Sequence, residues 1–306
     1  MKERKMNSAI VPFYQDGTLT RRDFLRGTSY AALGTVIGLS TRKTETKKSR
    51  VILIRHSEAV DDNSRLNGVI IQQMLDEAVV ALMGGDNPVK AFSKLVKSDE
   101  IVGIKSNVWS YLPTPPELEK AIKSRLMDAG VKEENISIDD HGVKQNPIFQ
   151  KSTSLINVRP LRTHYLAGIS GCMKNYIMFA DSQPAYHSNS CSDLGALFKL
   201  PIVKGKTRLN ILAALTPQFH GRGPHHFSRR YIWSYKGLIV GQDPVAVDAI
   251  GLQLIMAKRT QLLGKSKSIP PVPRHIRIAD IKHGIGTSEL SKIDLVKIGW
   301  KEDILI

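Results

Sequence analysis

Short apolar runs alternate along the chain with longer stretches in which apolar residues recur at helical spacing. A run of about four to eight apolar residues predicts a buried strand, and apolar residues about three to four positions apart predict a helix. The runs predict strands at residues 51–55, 101–105, 136–140, 209–215, 237–241 and 293–298. The helical spacing predicts helices at residues 69–83, 115–129, 243–256 and 274–282. This alternation predicts an α/β fold, with a mixed, largely parallel sheet flanked by helices.

One stretch, residues 168–191, follows neither the helical nor the strand period. It contains both cysteines of the chain and several polar side chains between glycines. Its polar and reactive residues include Cys172, Lys174, Asn175, His187 and Cys191. Reactive residue types in a glycine-spaced segment predict a functional site here.

Other polar residues come directly after predicted strands. They are Lys105 and Asn107, then Asp139, Asp140 and His141, and then Asp243 and Asp248. Ligands of open α/β sheets bind at the carboxyl ends of the strands. We therefore expect these side chains to converge on residues 168–191.

The lysines and aspartates of this set are candidates for acid–base chemistry. Lys174 precedes an apolar run, and apolar surroundings lower the pKa of a lysine, which suits a base, a Schiff-base amine or an anion clamp. Asp248 lies among apolar neighbours, where a charge needs a partner, and the expected partner is Lys105 or Lys174. Asp243 precedes Pro244 and also reads as a helix cap. The candidate catalytic residues are Lys174, Lys105 and Asp248, and the candidate cofactor-binding residues include Asn107, Asn175 and Asp243.

The two cysteines are nineteen positions apart. Cys172 and Cys191 are consistent with a disulfide, with metal or cluster ligation, or with two unrelated thiols, and the sequence leaves all three open. Imidazole is a common ligand of transition metals, so His187 joins the two cysteines as a candidate metal ligand.

A second glycine-spaced motif is basic. Arg222 and Gly223 lie in the sequence Gly-Arg-Gly-Pro. Such a loop can offer an anion a nest of main-chain N–H groups together with a guanidinium. Arg222 and Gly223 are therefore further candidates for binding an anionic cofactor.

The composition narrows the class of protein. The chain has 306 residues, of which 42% are hydrophobic and 24% charged, as in globular proteins, and no apolar run is long enough for a permanent transmembrane span. The net charge is +16, and residues 1–50 contribute +7 of it through eleven Lys/Arg against four Asp/Glu. The later basic residues are scattered among few aromatics, which disfavours nucleic acid as a partner.

The first fifty residues predict export. Arg21 and Arg22 are preceded by threonine, followed by Asp-Phe-Leu-Arg, and then by a weakly apolar segment at residues 27–40. This pattern is typical of a twin-arginine signal, whereas the alternative is an amphipathic helix with a chance arginine pair. We expect the twin-arginine translocase as a partner and a location in the periplasm, or at the membrane through an uncleaved leader. The predicted organisation is a signal and basic linker at residues 1–50, followed by one α/β domain at residues 51–306.

Several motifs occur in an order that resembles a known family. They are Val-Gly-Ile-Lys-Ser-Asn at 102–107, Gly-Cys-Met-Lys-Asn at 171–175, Asp-Pro-Val-Ala-Val-Asp-Ala at 243–249 and His-Gly-Ile-Gly at 283–286. Over residues 51–298 the chain resembles an uncharacterised bacterial and archaeal family, a domain of unknown function often labelled an iron–sulfur centre protein. The resemblance implies an iron–sulfur cluster as cofactor, and the candidate ligands leave another transition metal as the alternative. This chain departs from the family in having two cysteines and no Cys-x-x-Cys, so a four-thiolate cluster would need a homodimer or other ligands.

Three function classes follow. The first is an exported protein with a metal-containing or anionic cofactor and a redox or electron-transfer role, which implies a redox partner. The second is a hydrolase, isomerase or transferase that acts on a small anionic ligand, with Lys174 and His187 as acid–base groups. The third is a non-catalytic accessory protein that binds a partner.

Overall fold

The computed structural model describes residues 48–221, 227–264 and 269–306, which lie in one compact unit, Lys47–Ile306. The predicted export signal lies outside the described residues. Arg222 and Gly223, two of the candidate cofactor-binding residues, also lie outside them.

An eight-stranded sheet forms the centre of the described chain. Its strands are β1 (Ser49–Arg55), β2 (Val102–Lys105), β3 (Ile136–Asp139), β4 (Ser154–His164), β5 (Gly168–Ser170), β6 (Thr207–Gln218), β7 (Gly237–Gly241) and β8 (Ile293–Gly299). The strand order is β3-β2-β4-β6-β7-β1-β8, and β5 pairs with β4. The pairs β2–β3, β2–β4, β4–β6 and β1–β8 are parallel. β7 is antiparallel to both of its neighbours, and β5 is antiparallel to β4.

Helices connect these strands. They are α1 (Gly68–Met83), α2 (Pro88–Leu95), α3 (Pro116–Asp128), α4 (Pro147–Lys151), α5 (Cys172–Asn175), α6 (Pro244–Leu263) and α7 (Arg274–Ile281). The turn Ser188–Cys191 is not a regular α-helix, because Asn189 and Ser190 have positive φ. Among the described residues, no helix is long and apolar enough to cross a membrane.

The core consists of two layers, one on each face of the sheet. Strand side chains alternate between the faces, so Ile52 of β1 packs with α1, α2 and α3, whereas its neighbour Leu53 packs with α5 and α6. Met74 of α1 and Val247 of α6 are almost completely buried in their respective layers. The predicted α/β fold, with helices on both faces of a largely parallel sheet, is therefore confirmed.

The predicted strands and helices are all present, but the central strand β4 was missed. β4 pairs with β2, β5 and β6, and all of its residues are buried. Its apolar positions are interrupted by Asn157, Arg159, Pro160 and Arg162. These residues hide the strand pattern, because charged side chains and proline are rare inside a sheet.

The antiparallel direction of β7 corrects the expectation for Asp243. The residue follows β7 at the edge of the sheet where β1 begins, and its carboxylate accepts the Ser49 hydroxyl at 2.7 Å. It also accepts the main-chain N–H of Val245 at 2.9 Å, Ala246 at 3.0 Å and Thr287 at 2.9 Å. Asp243 therefore caps α6 and ties it to β1.

Replacing Asp243 tests this structural role. Asp243→Ala is expected to lower the free energy of unfolding by about 1–2 kcal/mol, because the α6 cap is lost. Asp243→Asn keeps a capping oxygen and should recover much of the loss. The measurement is urea unfolding followed by circular dichroism. The control is Asn87→Ala, which removes the exposed N-terminal cap of α2. Wild-type stability of Asp243→Ala would contradict the assignment.

Candidate anion-binding site

A buried ion pair joins the ends of β2 and β3. The parallel register places Lys105 beside Asp139, so the next residue, Asp140, reaches the Lys105 amine and forms an ion pair with it. The Asp140 carboxylate also accepts the Val108 main-chain N–H at 2.9 Å and lies 3.4 Å from the Asn107 amide nitrogen. Burial acts to raise the pKa of Asp140, but Lys105, the Val108 N–H and Arg159 outweigh it and hold the pKa below its ordinary value. The Asp140 side chain is therefore a carboxylate at neutral pH.

Buried amides attach α5 to the sheet. The Asn175 side-chain nitrogen donates to the Lys105 carbonyl at 3.0 Å and to the Asn157 side-chain oxygen at 2.9 Å. The Asn157 amide nitrogen in turn donates to the Cys172 carbonyl at 2.9 Å and to the Asn210 side-chain oxygen at 3.0 Å. This amide ladder runs from β2 through β4 to β6 and fixes both ends of α5.

Asp248 holds the start of α5 and forms no ion pair with either lysine. Its carboxylate oxygens accept the main-chain N–H groups of Cys172 at 2.6 Å and Met173 at 3.0 Å. Burial raises the pKa of Asp248 to about 7, although these N–H groups and Arg159 act against that rise. A side chain at Gly171 would place its Cβ 2.2 Å from the Asp248 carboxylate, so glycine is required there. The expected pairing of Asp248 with Lys105 or Lys174 was therefore wrong, and its position is that of a support for α5.

The sequence did not point to two arginines of β4. Arg159 is 5% exposed and Arg162 is 3% exposed. Residues three apart in a regular strand point to opposite faces, but the register of β4 against β6 shifts between Pro160 and Arg162, and both arginines line one cavity. Nε of Arg159, and Nε and Nη1 of Arg162, are buried without a hydrogen-bond partner in the described chain. The Arg162 guanidinium lies 4.1 Å from the centre of the Trp109 ring.

The cavity that these arginines line has a volume of about 140 Å³. It lies beyond the ends of β2 and β3, at the carboxyl edge that the strand pattern predicted. The polar side chains around it include Asn107, Asp140, Arg159, Arg162, Lys174 and Asn175.

Lys174 forms a pair with His187 at this cavity. Its amine lies 2.9 Å from Nε2 of His187. Burial lowers the pKa of Lys174 to about 8; Cys191 acts against this shift, and Arg159 and Arg162 add to it. Burial and the neighbouring Lys174 also lower the pKa of His187. At neutral pH the Lys174 amine therefore carries the proton and donates to the neutral His187 ring.

The side chains that the sequence offers as metal ligands do not fit an iron–sulfur cluster. Both cysteines are free and buried, and burial raises the pKa of each thiol. Among the described residues, no group of three or more His, Cys, Asp and Glu side chains is arranged to hold a metal ion. The candidate metal ligands Cys172, Cys191 and His187 therefore do not form such a group, and His187 is bonded to Lys174 instead. The four thiolates that a cluster usually needs are not supplied by this chain.

The structure thus brings together five of the candidate catalytic, cofactor-binding and metal-ligating residues, and Asp140 and His141, which were also expected to converge there, line the same cavity. Lys105, Asn107, Lys174, Asn175 and His187 lie at or beside the cavity. Asp243 lies elsewhere, at the start of α6, and Asp248 supports the cavity from behind α5. The signal that could have revealed the two arginines is a pair of basic residues, three positions apart, in the mostly apolar stretch at residues 155–162.

The fold and the site define an α/β protein with a positively charged cavity, lined by the buried side chains of Arg159, Arg162 and Lys174, at the carboxyl edge of its sheet. Residues 102–253, about half of the chain, match the sequence model of a family described as a domain of unknown function (DUF362). The match includes the cavity residues and supports the resemblance to an uncharacterised family. No curated protein matches the chain, and no solved structure matches it.

The lowered pKa of Lys174 predicts a pH-dependent effect on stability. Its pKa of about 8 in the folded chain lies below the ordinary 10.5, so folding is least favourable when the lysine is charged in both states. The free-energy cost of burying the charged lysine is therefore full below pH 8, and it disappears as the pH rises to about 10.5. Lys174→Met should raise the free energy of unfolding at pH 7 by up to about 3 kcal/mol.

Urea unfolding at pH 7 and at pH 10.5 measures this effect. The gain from Lys174→Met should shrink at the higher pH. The control is Lys123→Met, which removes an exposed lysine paired with Glu133. A Lys174→Met protein that is less stable than wild type at pH 7 would contradict the electrostatic account.

Proposed function

We propose that the protein binds a small molecule through an anionic group, a phosphate or a carboxylate, in this cavity. Lys174 and His187 then move a proton on the bound molecule. The observation that carries the proposal is the set of buried, unpaired guanidinium N–H groups of Arg159 and Arg162. Buried polar groups of this kind are almost always hydrogen-bonded to protein or to ordered water, and an anion in the cavity would supply the partner that these guanidinium groups lack in the described chain.

The charge balance around the cavity supports an anion. Lys105 is offset by Asp140. Arg159 lies in the field of Asp140 and Asp248, yet none of the described carboxylates is within ion-pair distance of Arg159, Arg162 or Lys174. A buried charge without a partner costs several kcal/mol. A bound anion would offset that cost directly.

The geometry of Arg162 favours an oxyanion. The Trp109 ring centre lies 4.1 Å from the Arg162 guanidinium, and the edge of this guanidinium keeps Nε and Nη1 without a hydrogen-bond partner in the described chain. Such an edge binds two oxygens of a carboxylate or phosphate at once. The cavity volume of about 140 Å³ corresponds to about five water molecules, which suits one anionic group.

Lys174 gives the site its chemistry. A group with a pKa near the working pH serves best as a general acid or base, and burial brings Lys174 to about 8. The proposed class is therefore an acid–base enzyme, a hydrolase, isomerase or transferase, that acts on an anionic metabolite. A redox role has less support, because the cysteines do not gather into a ligand set. An accessory protein would bind the same anion without converting it.

Anion binding is testable by calorimetric titration with inorganic phosphate and with acetate. Wild type is expected to bind at least one of them, and Arg162→Gln should weaken binding at least tenfold, equivalent to about 1.4 kcal/mol. The control is Arg230→Gln, since Arg230 overlies Tyr231 at an exposed position outside the cavity. Equal affinities of wild type and Arg162→Gln would rule out the proposed site.

The same titration has a predicted pH dependence. Affinity should fall as the pH rises through about 8, because Lys174 loses its charge, and Lys174→Met should flatten this fall. The charged and titratable groups that act on Lys174 are His164, Arg159, Arg162, His187, Cys191 and His275. The pKa values of the three histidines are lowered, so they stay neutral over this range.

We further propose that the protein is exported through the twin-arginine translocase. The support is the motif around Arg21 and Arg22 followed by a weakly apolar segment. The double variant Arg21→Lys/Arg22→Lys should remain in the cytoplasm, whereas Arg42→Lys, outside the motif, should be exported like wild type. Cell fractionation followed by immunoblotting measures the distribution. Export of the double variant would overturn this proposal.

A further inference from the structure

The loop that follows β2 forms one wall of the anion cavity and also carries apolar surface. Asn107 and Trp109 of this loop line the cavity. Val108 and Tyr111 face solvent instead, with 54% and 58% of their surface exposed. Polar and apolar binding surface thus lie side by side on one short segment.

This loop is held in one conformation by its own hydrogen bonds. The Asn107 main-chain N–H donates to the Thr114 hydroxyl at 3.0 Å, and the Thr114 N–H donates back to the Asn107 carbonyl at 2.8 Å. Val108 is tied to Asp140 at 2.9 Å. Exposed apolar side chains on a fixed loop form a preorganised contact surface, which lowers the entropy lost on binding.

Aromatic rings gather at the same place. The Trp109 and Tyr111 ring centres are 5.3 Å apart, and Phe227, from the segment after β6, lies 5.0 Å from Tyr111 and 5.6 Å from Trp109. These spacings lie within the range of favourable aromatic contacts. The Arg162 guanidinium also lies 4.1 Å from the centre of the Trp109 ring. Trp109 is therefore a neighbour both of the guanidinium proposed to bind the anion and of the exposed Tyr111 ring. The two distances from Trp109 place Tyr111 within about 10 Å of that guanidinium.

The size of the cavity limits what it can enclose. About 140 Å³ accommodates one anionic group, so the rest of a larger metabolite extends outside the cavity, and the loop of Asn107 and Trp109 is one of the walls that it meets. Val108 and Tyr111 are among the few large apolar side chains that the described chain exposes. An apolar or aromatic body would be buried there, whereas a polar one would gain nothing from this surface.

We infer that the ligand is an aryl anion: its phosphate or carboxylate pairs with Arg162 and its aromatic ring lies against Tyr111 and Val108. The inference rests on the proposed anion site and adds the class of ligand. Ring stacking on Tyr111 supplies the preference for an aromatic body over an alkyl one.

Paired ligands test the inference on the purified full chain. Calorimetric titration compares phenyl phosphate with methyl phosphate, and benzoate with acetate. Wild type should bind the aryl member of at least one pair at least tenfold more tightly. Tyr111→Ala should remove most of that difference and leave the affinity for the alkyl member unchanged, whereas Tyr111→Phe should retain the preference. Arg162→Gln should weaken both members of the pair.

The outcomes separate the two claims. Equal affinity for aryl and alkyl anions in wild type, or an aryl preference that survives in a folded Tyr111→Ala protein, would overturn the aryl inference and leave the anion site standing. Binding of none of the four anions would overturn the proposed function and the inference with it. Thermal unfolding of each variant by circular dichroism identifies any that fail to fold, and for those Val108→Ser provides a second variant at the same surface.

Discussion

The Lys105–Asp140 ion pair joins the ends of two parallel strands and is almost completely buried. A lysine in that position would cost several kcal/mol if its carboxylate were absent, so the two residues fix each other. Asp140 also binds the main chain at Val108 and thereby sets the start of the cavity loop. The position of Asn107 and of Trp109 therefore depends on one buried charge pair at the edge of the sheet.

The amide ladder transmits that order to α5. Asn175 contacts the Lys105 carbonyl and Asn157, and Asn157 holds the Cys172 carbonyl. Asp248 completes the support by accepting the first two N–H groups of the helix. A helix of four residues has little stability of its own. Its geometry, and with it the position of Lys174, is imposed by buried polar contacts from β2, β4 and α6.

The sequence pattern predicted most of the scaffold and only part of the site. Apolar runs identified β1, β2, β3, β6, β7 and β8, because those strands are short or continuous in their apolar residues. β4 was not predicted, because Arg159, Pro160 and Arg162 interrupt its apolar pattern. The same two arginines have buried guanidinium N–H groups without a hydrogen-bond partner in the described chain. The prediction that Asp243 lies at the site was wrong for a different reason. Strand direction depends on tertiary structure, and because β7 is antiparallel its carboxyl end lies at the opposite edge of the sheet from that of β2. Local spacing cannot encode either the register shift in β4 or the direction of β7.

Under the proposed function, the cation cluster of Arg159, Arg162 and Lys174 lowers the stability of the fold and provides the charge that binds an anion. Arg159, Arg162 and Lys174 repel one another in a buried region, which is why burial and mutual repulsion lower the pKa values of Arg162 and Lys174. An apolar replacement would relieve that repulsion, so packing alone does not explain their presence. The support from the ion pair, the amide ladder and Asp248 keeps the cluster in place before any ligand arrives. Preorganised charge of this kind binds an anion with little rearrangement, because the cost of assembling the site has been met during folding.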